Sequence, residues 1–335
     1  METSEDAGAG SADRRIRFLS TDHGCTHHRS GWEYALQSLA PLTHPRGVLF
    51  DAMIDNTFAW HLPRTWQSLP ITEPWVGIVH MPPNIPAHYG AVADPRVYLR
   101  SAPFVDSLAA CRGLFALSRY QAGAIVDLGV PVDALFHPVG MDVPPFDFDL
   151  YRSGRPRRVL HVGWWLRRLE TFARLDAGAH AKTALAVPVA EAARRMAAVC
   201  WRDVEVRAYV PDAAFDSLLS RSVVFVDLID ASANNVVLDC IARATPIFVN
   251  RHPAVCEYLG DDYPLLYDDP AQAETMMRDD ALIHSAHEYL RRDDLRARLS
   301  GDAFREGLRR SRIYRSLPVD HAGLEGGVAK PAVLA

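Results

Sequence analysis

Lysine is nearly absent from this 335-residue chain, since Lys182 and Lys330 are the only two among 36 basic residues. Any phosphate grip must therefore come from arginine or from backbone amides, and chemistry that hangs a cofactor on a lysine Schiff base is not expected. Paired cysteine spacing is also missing. The five cysteines (Cys25, Cys111, Cys200, Cys240 and Cys256) are odd in number and never spaced as CxxC. That argues against a disulfide framework and for a reduced, intracellular protein. No run of 18 apolar residues occurs, and the first 14 residues carry no apolar signal core. A cytoplasmic protein without an integral membrane segment is expected. A formal net charge of −5 gives no global attraction to nucleic acid or anionic membrane, so any anion site must be local.

What is present is ordinary for a folded protein, with 49% apolar and 23% charged residues. The length suits two domains of about 150 residues each. Residues 1–14 and 318–335 are rich in small residues and read as disordered tails. Strand-like runs at 15–21, 47–53, 75–81, 113–118 and 133–139 alternate with helical patterns at 30–39, 103–111 and 119–129. The pattern breaks over the Pro- and Asp-rich stretch 140–157, and 143–157 is read as a linker. Strands at 158–164, 204–210, 222–229, 245–250 and 263–267 then alternate with helices at 167–176, 189–199, 213–220, 234–243 and 252–260, before a helical tail from 271 to 315. Such alternation predicts an α/β fold of two consecutive Rossmann-like, doubly wound halves facing a cleft. The halves would span 15–142 and 158–300, with a C-terminal helix at 301–317.

The stretch DASANNVVLDCIARATPIFVN (230–250) places a helix start near Ser232 to Asn235, just after a strand. Serine and asparagine are good N-caps, and first-turn amides form an anion site. Asp239 follows Asn235 by four residues and shares its helix face, while Val237, Ile241 and Ala244 can face the core. Asp239 then lies roughly 6–8 Å along the axis from the amides, about the span from a pyrophosphate to a ribose diol. A capped helix with one solvated aspartate fits the same residues. A second signal is HVGWWLRRLETF (161–172), where a strand, Gly163 and then Arg167 and Arg168 open a helix. Ligands bind at that edge of a doubly wound sheet, and arginine forks suit phosphate. As plain surface charges they would be slightly disfavoured by the helix dipole.

Together with VRAYVPDAAFDSLLSRSVVFVDL before the first stretch, these segments resemble the nucleotide-sugar half of GT-B glycosyltransferases of the retaining, glycogen-synthase-like type (family 4, group 1). HHRSGWEYALQSL and ALSRYQAGAIVDLGVPVDALFHPVGMD are similar to the acceptor half, so the resemblance covers about residues 15–315. It implies Arg168, with Arg167, as the diphosphate clamp beside Gly163, and Asp239 as the ribose carboxylate. The family's first glutamate falls on Ala231 here. Asp230 would stand in for it one residue earlier, or Asn234 or Asn235 would bond the sugar or phosphate. The activity implied is transfer from a nucleotide-diphospho-sugar to a small-molecule or saccharide acceptor, with retention. No metal and no cofactor beyond the co-substrate are implied.

In WVGIVHMPPNIP (75–86) His80 ends a strand before the turn at Pro82 and Pro83. The resemblance gives it the place of a catalytic acceptor-domain histidine, while a hydrogen-bonded structural histidine fits the residues equally. TDHGCTHHRSG (21–31) holds Cys25, His27 and His28, but no second cluster completes a metal site at a recognisable spacing. Gly24 and Gly31 matter more there, because they let backbone approach a ligand. Ser118 is the third acceptor-side candidate. DFD (147–149) follows two prolines in the linker, so it does not read as a metal motif. A pyridoxal-type phosphorylase lacks its lysine, and a periplasmic-type binding protein would need a signal peptide. Another GT-B sugar-nucleotide enzyme, or a non-catalytic relative that binds a nucleotide or saccharide, is the alternative reading.

Overall fold

The computed structural model describes residues 15–19, 31–60, 68–90, 94–125, 127–185, 190–207 and 210–319. Among these, eleven strands pair in parallel into two sheets. The first holds β1 (Ile16–Phe18), β2 (Val48–Asp51), β3 (Trp75–Val79), β4 (Cys111–Ala116) and β5 (Val132–Ala134), side by side in that order. Alternation along the strands sends Val48, Phe50, Val76, Ile78 and Phe115 into one core cluster and Leu49, Trp75, Val79 and Leu114 into another, as a pleat requires. The helix Trp32–Leu39 covers the first face with Trp32, Ala35, Leu36 and Leu39, spaced as one helical stripe. Phe58, Tyr98 and Phe104 cover the other face.

The second sheet holds β6 (Arg157–Val162), β7 (His180–Leu185), β8 (Val204–Arg207), β9 (Val223–Val226), β10 (Ile247–Asn250) and β11 (Leu266–Tyr267). Their order is β11-β10-β9-β6-β7-β8. The direction of winding thus reverses between β6 and β9, and the loops leaving those two strands bound a crevice at the carboxyl edge. Residues 163–168 and 227–234 are those loops.

Two expectations need correction. HAKTAL (β7) is a strand where none was expected, because one β-branched residue in six gives little signal. Its Lys182 turns back to the carbonyls of Ala173 (2.8 Å) and Leu175 (3.1 Å), at the end of the helix Leu169–Arg174. The linker contains a helix, Phe148–Ser153, and Asp147 of the DFD triplet is its N-cap, accepting the Leu150 N–H at 2.9 Å. The helical tail from 271 consists of five short helices.

The last two of these, Gly301–Arg310 and Arg312–Ser316, return to the first half. Phe304, Leu308, Ile313, Tyr314 and Leu317 complete its core. Gly113 on β4 makes room for them: a Cβ there would meet the Ile313 side chain at 2.7 Å. No helix among the described residues is long and apolar enough to cross a membrane.

Candidate functional site

The chain leaves β6 through Gly163, whose φ is +80°. A Cβ at that position would also lie 3.2 Å from the Arg167 guanidinium carbon, so glycine serves both the left-handed turn and the seat of Arg167. Leu166, buried, also has a positive φ of 51°. Such a residue costs of order 1–3 kcal/mol and persists only when its surroundings hold it. Here the Ile229 N–H donates to the Leu166 carbonyl (2.8 Å) and the Arg168 N–H to the Asp227 carbonyl (2.8 Å). Between the two left-handed residues, the main-chain N–H groups of Trp164, Trp165 and Leu166 meet no protein acceptor among the described residues. Runs of free amides beside a left-handed residue are anion-binding geometry.

The two arginines play different parts. Arg168 donates through Nη1 to Asp227 Oδ1 (2.9 Å) and to the Leu228 carbonyl (2.7 Å). Asp227 is buried, and its second oxygen accepts from the Thr171 hydroxyl at 2.7 Å. Arg168 is therefore already neutralised. Arg167 donates to the Trp165 carbonyl (2.7 Å) but has no carboxylate partner among the described residues, and its Nε is buried without an acceptor. Burial brings its pKa down to about 10, against the opposing pull of Tyr89. A cation held away from water without a counter-charge gains more from an incoming anion than a paired one does. The resemblance made Arg168 the main clamp. The geometry gives the uncompensated charge to its neighbour.

Two further orphans lie close in sequence. His161 Nε2 and Trp165 Nε1 are buried without partners, so three of the eight such atoms among the described residues fall within 161–167. His161 is a neutral imidazole, its pKa pushed down to about 3 by burial and by Arg167. Across the cleft Tyr89 reaches this loop from the 3-10 turn Ala87–Tyr89, donating its hydroxyl to the Arg167 carbonyl at 3.4 Å. Its ring lies near-parallel to Trp164 (6.4 Å, 18°), edge-on to Trp165 (5.1 Å) and under the Arg195 guanidinium (4.1 Å). Sequence reasoning missed Tyr89 and both tryptophans. The WW pair directly after Gly163 was the available signal.

After β9 the second loop is bonded internally. Asn234 caps the helix Asn235–Arg243, its Oδ1 accepting from the N–H groups of Val236 (3.1 Å) and Val237 (3.3 Å). The first-turn amides expected to meet an anion are thus engaged by the cap, and Asn235 is half-buried beside it. Asp239 is 7% exposed, so it is not a solvated aspartate. It pairs with buried Arg243 (3.3 Å), which also reaches Asp216 on the helix Asp212–Leu219. Asp230 has no free edge. Its Oδ1 accepts from the Tyr120 hydroxyl, His252 Nε2 and the Ala231 N–H, all at 2.9 Å, and its Oδ2 from the Asn84 N–H at 2.7 Å. Burial raises its pKa, but the bonds from His252, Asn84, Tyr120 and Ala231 outweigh that and leave it below the ordinary value. Asn84 and Tyr120 belong to the first half, so Asp230 joins the two halves instead of standing open to a sugar.

The first-half candidates are also bonded within the fold. His80 turns its ring inward, with Nε2 2.9 Å from the Ala52 carbonyl and the ring edge-on to Trp32 at 4.4 Å. Its own carbonyl accepts the Ser232 hydroxyl from the second half. Ser118 is fully buried and caps the helix Arg119–Ala124 through the Gln121 N–H (3.2 Å). Glu257 of the second half accepts the next two N–H groups, from Arg119 (2.8 Å) and Tyr120 (2.7 Å). Gly31, with φ +88°, precedes the helix Trp32–Leu39. Gly24, Cys25, His27 and His28 lie outside the described residues. Among the described residues no three His, Cys, Asp or Glu side chains gather as metal ligands.

Two parallel α/β halves meeting over a switch-point loop are the GT-B architecture, and this chain has it. No protein-family model and no curated protein matches the sequence. Solved structures do match. A UDP-forming alpha,alpha-trehalose-phosphate synthase from Burkholderia xenovorans aligns at TM-score 0.54 and 14% identity, over 85% of this chain and 78% of that one. A sucrose-phosphate synthase from Thermosynechococcus elongatus aligns at 0.58 and 12%, over 81% and 73%. The E. coli trehalose-6-phosphate structure bound with UDP-2-fluoro glucose aligns at 0.53 and 13%, over 82% and 75%.

Proposed function

We propose that this chain is a cytoplasmic glycosyltransferase that moves a sugar from a nucleotide-diphospho-sugar to a small-molecule or saccharide acceptor, with retention and without a metal. The observation that carries the reading is Arg167, half-buried with its Nε sealed off and with no carboxylate partner among the described residues, beside three amides without protein acceptors at the switch point of the second sheet. The diphosphate would lie on residues 163–167, with Arg168 bracing the loop through Asp227. Asp239 would reach the ribose, its carboxylate shared with Arg243. The acceptor would enter from the first half, where His80 adjoins the donor-side loop through Ser232.

In the reaction the acceptor oxygen attacks the anomeric carbon from the face the leaving group departs. The bond to the diphosphate breaks, its electron pair stays on the diphosphate oxygen, and the acceptor proton passes to that oxygen. Arg167 and the loop amides stabilise the charge that develops there, in a cleft where fixed donors act more strongly than water does. The names of similar structures support this choice of donor, since one is UDP-forming and another is bound with a UDP-sugar. A second reading has its own observation: buried Ala231 and the fully bonded Asp230 leave no carboxylate at the family's first glutamate position, as in a protein that binds the donor without transferring it.

The test is turnover. A panel of UDP-, GDP-, ADP- and dTDP-sugars, offered with pooled sugar and small-molecule acceptors, should release one nucleoside diphosphate. Arg167→Ala should lose this by about 100-fold or more, the scale of removing one charge-stabilising donor. Donor binding without release would select the second reading, and neither binding nor release would overturn both.

A further inference from the structure

The loop after β6 holds a donor that neither the sequence pattern nor the family resemblance assigns. We propose that the indole N–H of Trp165 is a direct ligand to the same anion that Arg167 neutralises, so that the diphosphate is gripped by one charged and one neutral side-chain donor. The inference rests on the donor reading above and deepens it.

Trp165 Nε1 is buried and has no acceptor among the described residues. An indole N–H can only donate, and leaving a buried donor unmet is costly, so tryptophan is a poor choice where a plain aromatic would pack as well. The ring is locked by edge-on contacts with Tyr89 at 5.1 Å and Trp164 at 5.3 Å. Its backbone is locked too, because the Trp165 carbonyl accepts from Arg167 Nη1 at 2.7 Å. That bond ties the two residues together, each carrying a buried N–H with no acceptor, and the left-handed Leu166 between them fixes the turn. The main-chain amides of 164–166 belong to the same short loop and are likewise without protein acceptors. Within four residues the loop thus gathers main-chain, indole and guanidinium donors, while Asp227, the carboxylate bonded to the end of the loop, is occupied by Arg168 and Thr171. A donor set of that composition suits a compact polyanion with several oxygens, which is the chemistry of a diphosphate.

The experiment uses the full chain and inorganic pyrophosphate, followed by UDP, GDP, ADP and dTDP, in calorimetric titrations. Trp165→Phe keeps an aromatic ring in place and removes the N–H together with the five-membered half of the indole, so the resonance measurement is read beside it. The variant should weaken pyrophosphate and the bound nucleoside diphosphate by roughly 10- to 100-fold, as expected for one hydrogen bond to a charged group, with nucleoside affinity unchanged. A second measurement needs no variant at the site during titration. In wild-type protein labelled with 15N-tryptophan, the indole resonance missing from the Trp165→Phe spectrum should shift downfield as pyrophosphate is added. If wild type binds the diphosphates while Trp165→Phe binds equally and its resonance stays in place, the Trp165 assignment is overturned and the donor reading stands. If wild type binds none of the probes, both fall together.

Discussion

At the scale of single residues, function here depends on which charges are already spent. Neighbouring arginines look equivalent in the sequence, and only the fold shows that Asp227 has claimed Arg168 and left Arg167 without a counter-ion among the described residues. Pairing of that kind is long-range, so the sequence shows the arginine pair and not the difference between its two members. The same holds for Asp230, expected to stand in for a sugar-binding carboxylate but bonded by Asn84 and Tyr120, 146 and 110 residues earlier. Nothing in the sequence marks Asp51. It ends β2 buried, with Oδ2 unpartnered, and burial raises its pKa to about 6 against opposing bonds from Thr57 and the Met53 N–H. Because its folded pKa lies above the ordinary 3.8, the folded state holds this proton more tightly. Stability should therefore fall as pH rises through about 4 to 6, and stay lower above that window. Asp51→Asn should remove that slope and add about 2–3 kcal/mol at pH 7 relative to the charged carboxylate. Urea denaturation from pH 4 to 8 checks this, and an unchanged slope in the variant would show that another group governs it.

At the scale of elements, strands with continuous apolar runs were readable, because a strand buried on both faces needs no polar alternation. HAKTAL failed that criterion, and its pairing on both edges with β6 and β8 makes it a strand regardless. The closing helices were readable as helices, but nothing local says that they pack on the first half. Ile313 carries that contact, fully buried against Gly113 of β4. Ile313→Ala should therefore destabilise the first half by about 2–4 kcal/mol, the usual cost of emptying a buried isoleucine site. The loss should appear as reduced hydrogen-exchange protection of β4 and β5, with β9 and β10 little affected. Equal loss in both sheets would mean that the two halves unfold as one unit.

At the scale of the whole molecule, two α/β halves are joined by polar contacts. Asp230 takes Asn84 and Tyr120, Glu257 takes the helix start at Arg119, and the Tyr258 hydroxyl donates to the Leu117 carbonyl at 2.6 Å. Asp230→Ala should loosen these contacts, and exchange of the Asn84 amide should speed up by about tenfold or more, since one buried charge-assisted bond is lost. An unchanged Asn84 rate would remove Asp230 from the contact. The contact of Tyr89 with Trp164 and Trp165 borders the candidate chemistry. Its most direct test is calorimetric titration of the intact protein with UDP, GDP, ADP and dTDP, repeated in Arg167→Ala and Arg168→Ala. Micromolar binding of one diphosphate is predicted, abolished in Arg167→Ala and only weakened in Arg168→Ala. Binding that survives Arg167→Ala, or no binding to folded wild-type protein, would contradict the assignment of the uncompensated arginine as the anchor of the donor diphosphate.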